Sequence, residues 1–130
     1  HISICISGMP ESELGNEGRA IDVLMTKLRT LVEECNFALI LVSHLKRPEG
    51  NRGYEDGIMP NLSALRGSQA LSQLSDICIA LSRDLQGEDK NITKMSVLKN
   101  RFSGDTGLCS HLEYCQRTGR LTETEISEEF

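Results

Sequence analysis

No stretch of this 130-residue chain approaches the 18 consecutive apolar residues of a membrane-spanning helix. The longest apolar run, FALILV at 37–42, has the length of a buried strand. Basic residues are not in excess either: 14 Lys and Arg stand against 19 Asp and Glu, a net charge of −5. That balance argues against a general cationic coat for nucleic acid, although a local groove can differ in sign from the average. The chain shows no initiator methionine, cationic leader or small-residue cleavage site, so no secretory signal is visible. It opens on what reads as mid-strand, the expected look of a segment of something larger. The five cysteines, an odd number, form no C-x-x-C pair. Four of them sit among apolar or strand-like neighbours, which predicts structural thiols in a reducing cytoplasm.

Catalytic signatures are missing as well. There is no G-x-x-x-x-G-K-[ST]; GNRG at 50–53 lacks the lysine and the hydroxyl that a phosphate-binding loop needs. There is no G-x-S-x-G elbow, no H-E-x-x-H and no metal-ligand spacing of His and Cys. His1, His44 and His111 are far apart and make no local motif. The chain alone is therefore not a complete P-loop nucleotide hydrolase. What remains is a composition ordinary for a globular protein, 38% hydrophobic and 25% charged, at a length that fits one domain or part of one.

The patterning predicts an α/β fold. Ile2, Ile4 and Ile6 alternate as in a short strand. Ile21, Leu24, Met25, Leu28, Leu31, Val32 and Cys35 fall in steps of three and four, one stripe of an amphipathic helix over 18–35. The continuous run at 37–42 reads as a strand buried on both faces, so strand, helix and strand suggest a βαβ unit and a mostly parallel sheet flanked by helices. Residues 46–61 hold three glycines, two prolines and six charged side chains, a long exposed loop. A short helix is predicted over 62–74, strands over 76–82 and 93–102, and a C-terminal β-hairpin from 108–115 and 119–122. The end from Thr122 carries four glutamates and no basic residue, a solvated acidic tail. The domain boundary is accordingly drawn at 121.

Three places could carry chemistry. SHLKRP at 43–48 lies at the carboxyl edge of the predicted buried strand, where open α/β sheets bind ligands. His44 there could meet a phosphate oxygen with Lys46 and Arg47 beside it, or be an ordinary surface histidine. Arg66, Gly67 and Ser68 stand at a helix entry, whose unpaired amides suit an anion or simply take Ser68 as a cap. In the strand 95–102, period two puts Met95, Val97, Lys99 and Arg101 on one side. The two cations then end an apolar row, as a phosphoryl-stabilising pair or as a strand leaving the core.

Taken in order, HISI at 1–4, LMTKL at 24–28, SHLK at 43–46, LRGS at 65–68, QLSD at 73–76, KNRFSGDTG at 99–107 and LEY at 112–114 resemble one family. It is the C-terminal part of the helicase domain of bifunctional phage primase-helicases. These are ring-forming replicative helicases of the DnaB type with a RecA-like P-loop NTPase core, to which the mitochondrial replicative helicase is related. The resemblance runs to about Thr122. In that family the Walker A loop, the catalytic Glu and the Walker B Asp lie before the position of His1, so the N-terminal part of the core is missing here.

The resemblance implies an NTP-driven helicase that translocates 5′-to-3′ on single-stranded DNA and unwinds duplex at the fork. It implies Mg²⁺ and ATP or dTTP as cofactors, a hexameric ring, no membrane and, for a phage protein, the host cytoplasm. The isolated segment is expected to be inactive. Carried over by position, His44 would be the γ-phosphate sensor, and Lys99 and Arg101 the cations reaching a neighbouring subunit's nucleotide, Arg101 as the finger. Arg83 and Tyr114 would sandwich the base. Lys46, Arg47, Arg66 and Gly67 would contact DNA. The acidic end at Phe130 resembles tails that dock a replicative polymerase. Two other readings stay open: a RecA-like DNA-dependent ATPase or recombinase without unwinding, and an inactive DNA-binding or loader module.

Overall fold

The computed structural model describes residues 1–10, 16–48, 50, 52–65 and 69–125. The chain divides into two compact units, one made of His1–Lys46 with Ser63–Asp76, the other of Arg47–Leu62 with Ile77–Phe130.

The first unit is helical. Helix α1 spans Ile2–Ser7, α2 Glu17–Cys35 and α3 Ala70–Leu74, with a 3₁₀ turn at Leu62–Ala64 leading into the segment that begins at Ser63. The strand expected at Ile2–Ile6 is thus a helix. Over six residues, apolar positions 2, 4 and 6 fit period two, but positions 2 and 6 alone also fit one helical face. The structure takes the second option: Ile2 is buried and Ile6 packs on the same core, while Ile4 is 72% exposed. The His1 Nδ1 accepts the Ser3 N–H at 3.3 Å and caps the first turn.

Helix α2 matches its sequence pattern. Asn16 Oδ1 accepts the Arg19 N–H at 2.8 Å as the N-cap, and Asn36 closes the helix in the left-handed region (φ 50°). Ile21, Leu24 and Met25 are buried with Ile2 and Leu71, and Leu28, Leu41, Leu65 and Leu74 pack around them. The expected stripe is wet at its far end, where Leu31 and Cys35 are exposed. Arg29 ties the last turns to the end of the unit by bonding both Glu33 and Asp76 at 2.7 Å. Those partners, Glu33 first, hold its guanidinium above the ordinary arginine value.

The run at 37–42 differs from expectation. It joins no sheet among the described residues, and Ile40 is 93% exposed. A strand apolar on both faces needs neighbours on both sides, and only Leu41 here packs on the core. The Val42 carbonyl accepts the Ile2 N–H at 3.0 Å, which fixes the start of α1 to this segment.

The second unit is a four-stranded sheet: β1 Ile77–Arg83, β2 Ile92–Asn100, β3 Gly107–Cys115 and β4 Arg120–Thr124. Every pairing is antiparallel, in the order β1-β2-β3-β4, in place of the expected mostly parallel sheet. The connections explain it, since turns of eight residues or fewer reverse the chain and cannot return it to parallel. The C-terminal hairpin is present as β3 and β4. Strand β4 continues to Thr124, with Thr122 opposite Glu113, so the first residues of the expected tail include ladder positions. The remainder, 126–130 with Phe130, lies outside the described residues.

Two residues of the 46–61 segment, Glu55 and Ile58, are hydrogen-bonded to β1 and the turn after it. The Glu55 carbonyl accepts the Leu85 N–H at 2.8 Å, and Ser82 Oγ donates to the Ile58 carbonyl at 3.0 Å. Gly57 sits at φ 79°, and a Cβ there would stand 3.0 Å from the Asp84 Cβ, so this close approach requires glycine. Among the described residues no disulfide forms. Cys5, Cys35 and Cys109 are exposed, against the expectation that most of the thiols pack inside.

Candidate functional site

The ladder register decides where the cations of β2 point. Ile79 pairs with Val97, yet Cys78, one residue earlier, pairs with Lys99. Leu98 is therefore an extra residue without a partner, a β-bulge. Directly opposed residues share a face, so Val97 lies with Ile79 while Lys99 lies with Cys78 on the other side. The expected row Met95, Val97, Lys99, Arg101 is broken at the bulge. A second shift, between Met95 and Ser96, makes Cys109 the extra residue on β3.

Arg101 stands beyond the end of β2, exposed in a turn that Asn100 organises. Asn100 Oδ1 accepts the N–H groups of Phe102 (3.1 Å) and Ser103 (3.3 Å). Its Nδ2 donates to Ser103 Oγ at 2.9 Å, and its carbonyl accepts the Gly104 N–H at 2.9 Å. Four bonds to one asparagine fix the turn that carries the exposed Arg101. An Asn opening a turn is a known sequence signal, and it could have marked Asn100 as the support.

Arg83 and Tyr114 are brought together. The guanidinium carbon lies over the tyrosine ring, 5.7 Å from its centroid, within cation–π range. Arg83 Nε donates to the Lys90 carbonyl and Nη2 to Asn91 Oδ1 at 3.4 Å, and the Tyr114 N–H donates to the Asn91 carbonyl at 2.8 Å. Both planar groups are half-buried and can stack with a further flat molecule.

In the helical unit His44 and Lys46 are exposed. The His44 ring lies 4.1 Å from the His1 ring, centroid to centroid and tilted by 53°. Spacing gave no warning of this contact between residues 43 apart; the helix start at Ile2, bonded to Val42, produces it. The Lys46 N–H donates to the Ala64 carbonyl at 2.7 Å, and Leu45 bridges Leu65, so the segment bearing Lys46 runs beside the one leading to Arg66. Arg66 and Gly67 themselves lie outside the described residues. Arg47 is exposed and begins the second unit. Among the described residues no three His, Cys, Asp or Glu side chains converge to hold a metal ion, and no helix is long and apolar enough to cross a membrane.

At the β3–β4 turn, the Thr118 hydroxyl and the backbone N–H groups of Thr118 and Arg117 bond the Cys115 sulfur and hold its thiol below the ordinary value. A lowered value means more thiolate at neutral pH, and the thiolate is the nucleophile. Thr118→Val is expected to move the pH profile of Cys115 alkylation upward, read by mass spectrometry after iodoacetamide. An unmoved profile would show that the hydroxyl does not set the thiol.

The family model for the DnaB-like helicase C-terminal domain matches residues 5–123. A DNA helicase/primase of Enterobacteria phage T3 is 44% identical over 121 residues, which is 93% of this chain and 21% of that protein. The chain thus spans about a fifth of the length of this curated relative. Among solved structures, one described as an ATPase domain matches with a TM-score of 0.71 and 26% identity, over 90% of this chain and 41% of that one. A DnaB-like replicative helicase, solved to show its interactions with primase, matches with the same score and identity, over 90% of this chain and 28% of its own. These likenesses place the described elements in a RecA-like ATPase fold.

Proposed function

Because this chain belongs to the DnaB-like helicase C-terminal domain family, we propose that it forms part of a ring-shaped, NTP-driven replicative DNA helicase. The observation that carries the reading is the match over residues 5–123 together with 44% identity to a phage helicase/primase. Within that role the residues divide by position. Arg83 and Tyr114 receive the nucleobase, stacking on its faces. Arg101, displayed on the Asn100 turn, meets the phosphates bound by a neighbouring subunit, with Lys99 adding charge from the end of β2. A planar guanidinium spreads its donors over the equatorial oxygens of the transferring phosphoryl group, where negative charge collects. His44 senses the γ-phosphate and, two residues before Lys46, passes the nucleotide state to the DNA-holding loop.

Lys46, Arg47, Arg66 and Gly67 grip single-stranded DNA through its phosphates, which is sequence-independent and releases counterions. Mg²⁺ supplies charge neutralisation on the nucleotide when bound. The ring is hexameric, moves 5′-to-3′ and works in the host cytoplasm. Docking of a replicative polymerase on the acidic end at Phe130 is part of the same reading and rests on the sequence alone.

The test is made on the full-length protein, with NTP, Mg²⁺ and a forked duplex. Strand separation that requires a 5′ single-stranded tail is expected. DNA-stimulated hydrolysis without separation would overturn the helicase reading in favour of a translocating or filament-forming ATPase. Binding to single-stranded DNA should weaken steeply with salt, and Lys46→Ala should lower the slope of log affinity against log salt by about 0.7, the value for one lost phosphate contact. An unchanged slope removes Lys46 from the interface.

A further inference from the structure

We propose that Asn91 is the positioning residue of the nucleobase platform, setting its two halves through two different carbonyls. This deepens the reading of Arg83 and Tyr114 as the base site and rests on it. Asn91 lies between the turn that follows β1 and the first residue of β2. Its backbone carbonyl accepts the Tyr114 N–H at 2.8 Å and fixes the chain that carries the aromatic ring. Its side-chain carbonyl accepts Arg83 Nη2 at 3.4 Å, while the neighbouring Lys90 carbonyl takes Nε. Two edges of the guanidinium are thereby turned toward residues 90–91, and its carbon stands over the tyrosine ring, 5.7 Å from the centroid.

The turn that delivers Asn91 is itself built. Asp84 Oδ1 accepts the N–H groups of Gln86 at 2.9 Å and Gly87 at 2.7 Å, and the Asp89 carbonyl accepts the Ile92 N–H at 2.8 Å. Residue 91 is thus held at both sides, and its two contacts to the platform differ in kind. The bond to Tyr114 survives any substitution, because it uses the backbone. The bond to Arg83 needs an acceptor on the side chain.

The spacing gives this second bond a further role. A base lying between two planar groups needs about 7 Å, two contact distances between stacked atoms. The pair stands at 5.7 Å, so a base that enters between the groups displaces the guanidinium outward. Asn91 holds the guanidinium by its edge at 3.4 Å, and the bond is kept as the group moves over the base. Asn91 therefore holds Arg83 in reach of the base without locking it onto Tyr114.

The experiment is steady-state NTP hydrolysis by the full-length protein with Asn91→Leu, which keeps the size and the backbone bond but removes the acceptor. KM is expected to rise about fivefold with kcat within about twofold, the pattern of lost uniform binding. Asn91→Asp, which restores an acceptor for Arg83, is expected to return KM to about the wild-type value. Inorganic tripolyphosphate, which has no base, should inhibit wild type and Asn91→Leu equally. A wild-type KM in Asn91→Leu, while Arg83→Ala raises it, overturns the proposal and leaves the platform standing. If Arg83→Ala and Tyr114→Ala also leave KM unchanged, the platform reading falls and the role of Asn91 falls with it. A drop in kcat, a changed tripolyphosphate inhibition constant or a failed rescue by Asp would make Asn91 merely structural and overturn the proposal.

Discussion

Arg101→Ala in the full-length protein is expected to lower DNA-stimulated NTP turnover by about a thousandfold, the scale on which an arginine finger acts. The large effect follows from where the side chain stands. It is exposed past the end of β2, on a turn whose backbone is held by four hydrogen bonds to Asn100. Nucleotide binding should change far less, because charge stabilisation specific to the transition state appears in kcat rather than in KM. Arg101→Lys retains the charge but not the planar fork and should recover only a minor part of the rate. Action across a subunit boundary has its own signature. Subunits carrying Arg101→Ala, mixed with subunits that have an intact finger but cannot bind nucleotide, should regain hydrolysis at some interfaces. Unchanged turnover in a ring made wholly of Arg101→Ala would remove the residue from the reaction.

The second large effect concerns stability. Ile21→Ala is expected to destabilise the helical unit by about 3 kcal/mol, within the usual cost of emptying a closed core site. Ile21 is 1% exposed and lies among Ile2, Leu24, Met25 and Leu71, drawn from three helices, so no single shift can refill the space. Leu31→Ala on the same helix removes the same class of side chain from a position 45% exposed and should cost about 0.5 kcal/mol. Urea denaturation of the two variants, followed by circular dichroism, separates them. Equal midpoints would mean that the core is not centred on Ile21. Loss of this core should also disturb His44, because Ile2, one of its members, is bonded to Val42 and follows the His1 that touches the His44 ring.

Some of this molecule is legible in its sequence. The repeat of apolar residues over 21–35 is long enough to distinguish a helix from a strand, and each of the four sheet strands has a run that marks it. The segment at 2–6 is too short for that distinction, and its burial by α2 and Leu71, a tertiary fact, decides for a helix. The run at 37–42 shows the opposite failure. Apolarity on both faces announces a need for neighbours but does not say where they come from. Strand polarity depends on the pairing of distant residues, so the antiparallel order lies beyond local pattern.

The site divides in the same way. The identities of His44, Arg101, Arg83 and Tyr114 come from motif resemblance, while their surroundings do not. Nothing in the spacing of positions 83, 91 and 114 brings them together; the β1–β2–β3 register does, by setting Arg83 opposite Thr93 and Thr93 opposite Leu112. The side on which Lys99 lies escapes the pattern because strict alternation assumes an unbroken ladder.

That interruption at Leu98 has a consequence for how the chain can change over generations. In an unbroken ladder the loss of one residue inverts the parity of every later position, whereas a bulge holds one residue whose loss restores plain pairing. Deleting Leu98 would close the ladder with Val97 still opposite Ile79 and Lys99 still opposite Cys78, so Lys99 and Asn100 would keep their present surfaces. The stretch from Val97 to Lys99 therefore has one residue to spare. A frame-preserving deletion of one codon there would remove the bulge and leave the cation pair on its present side.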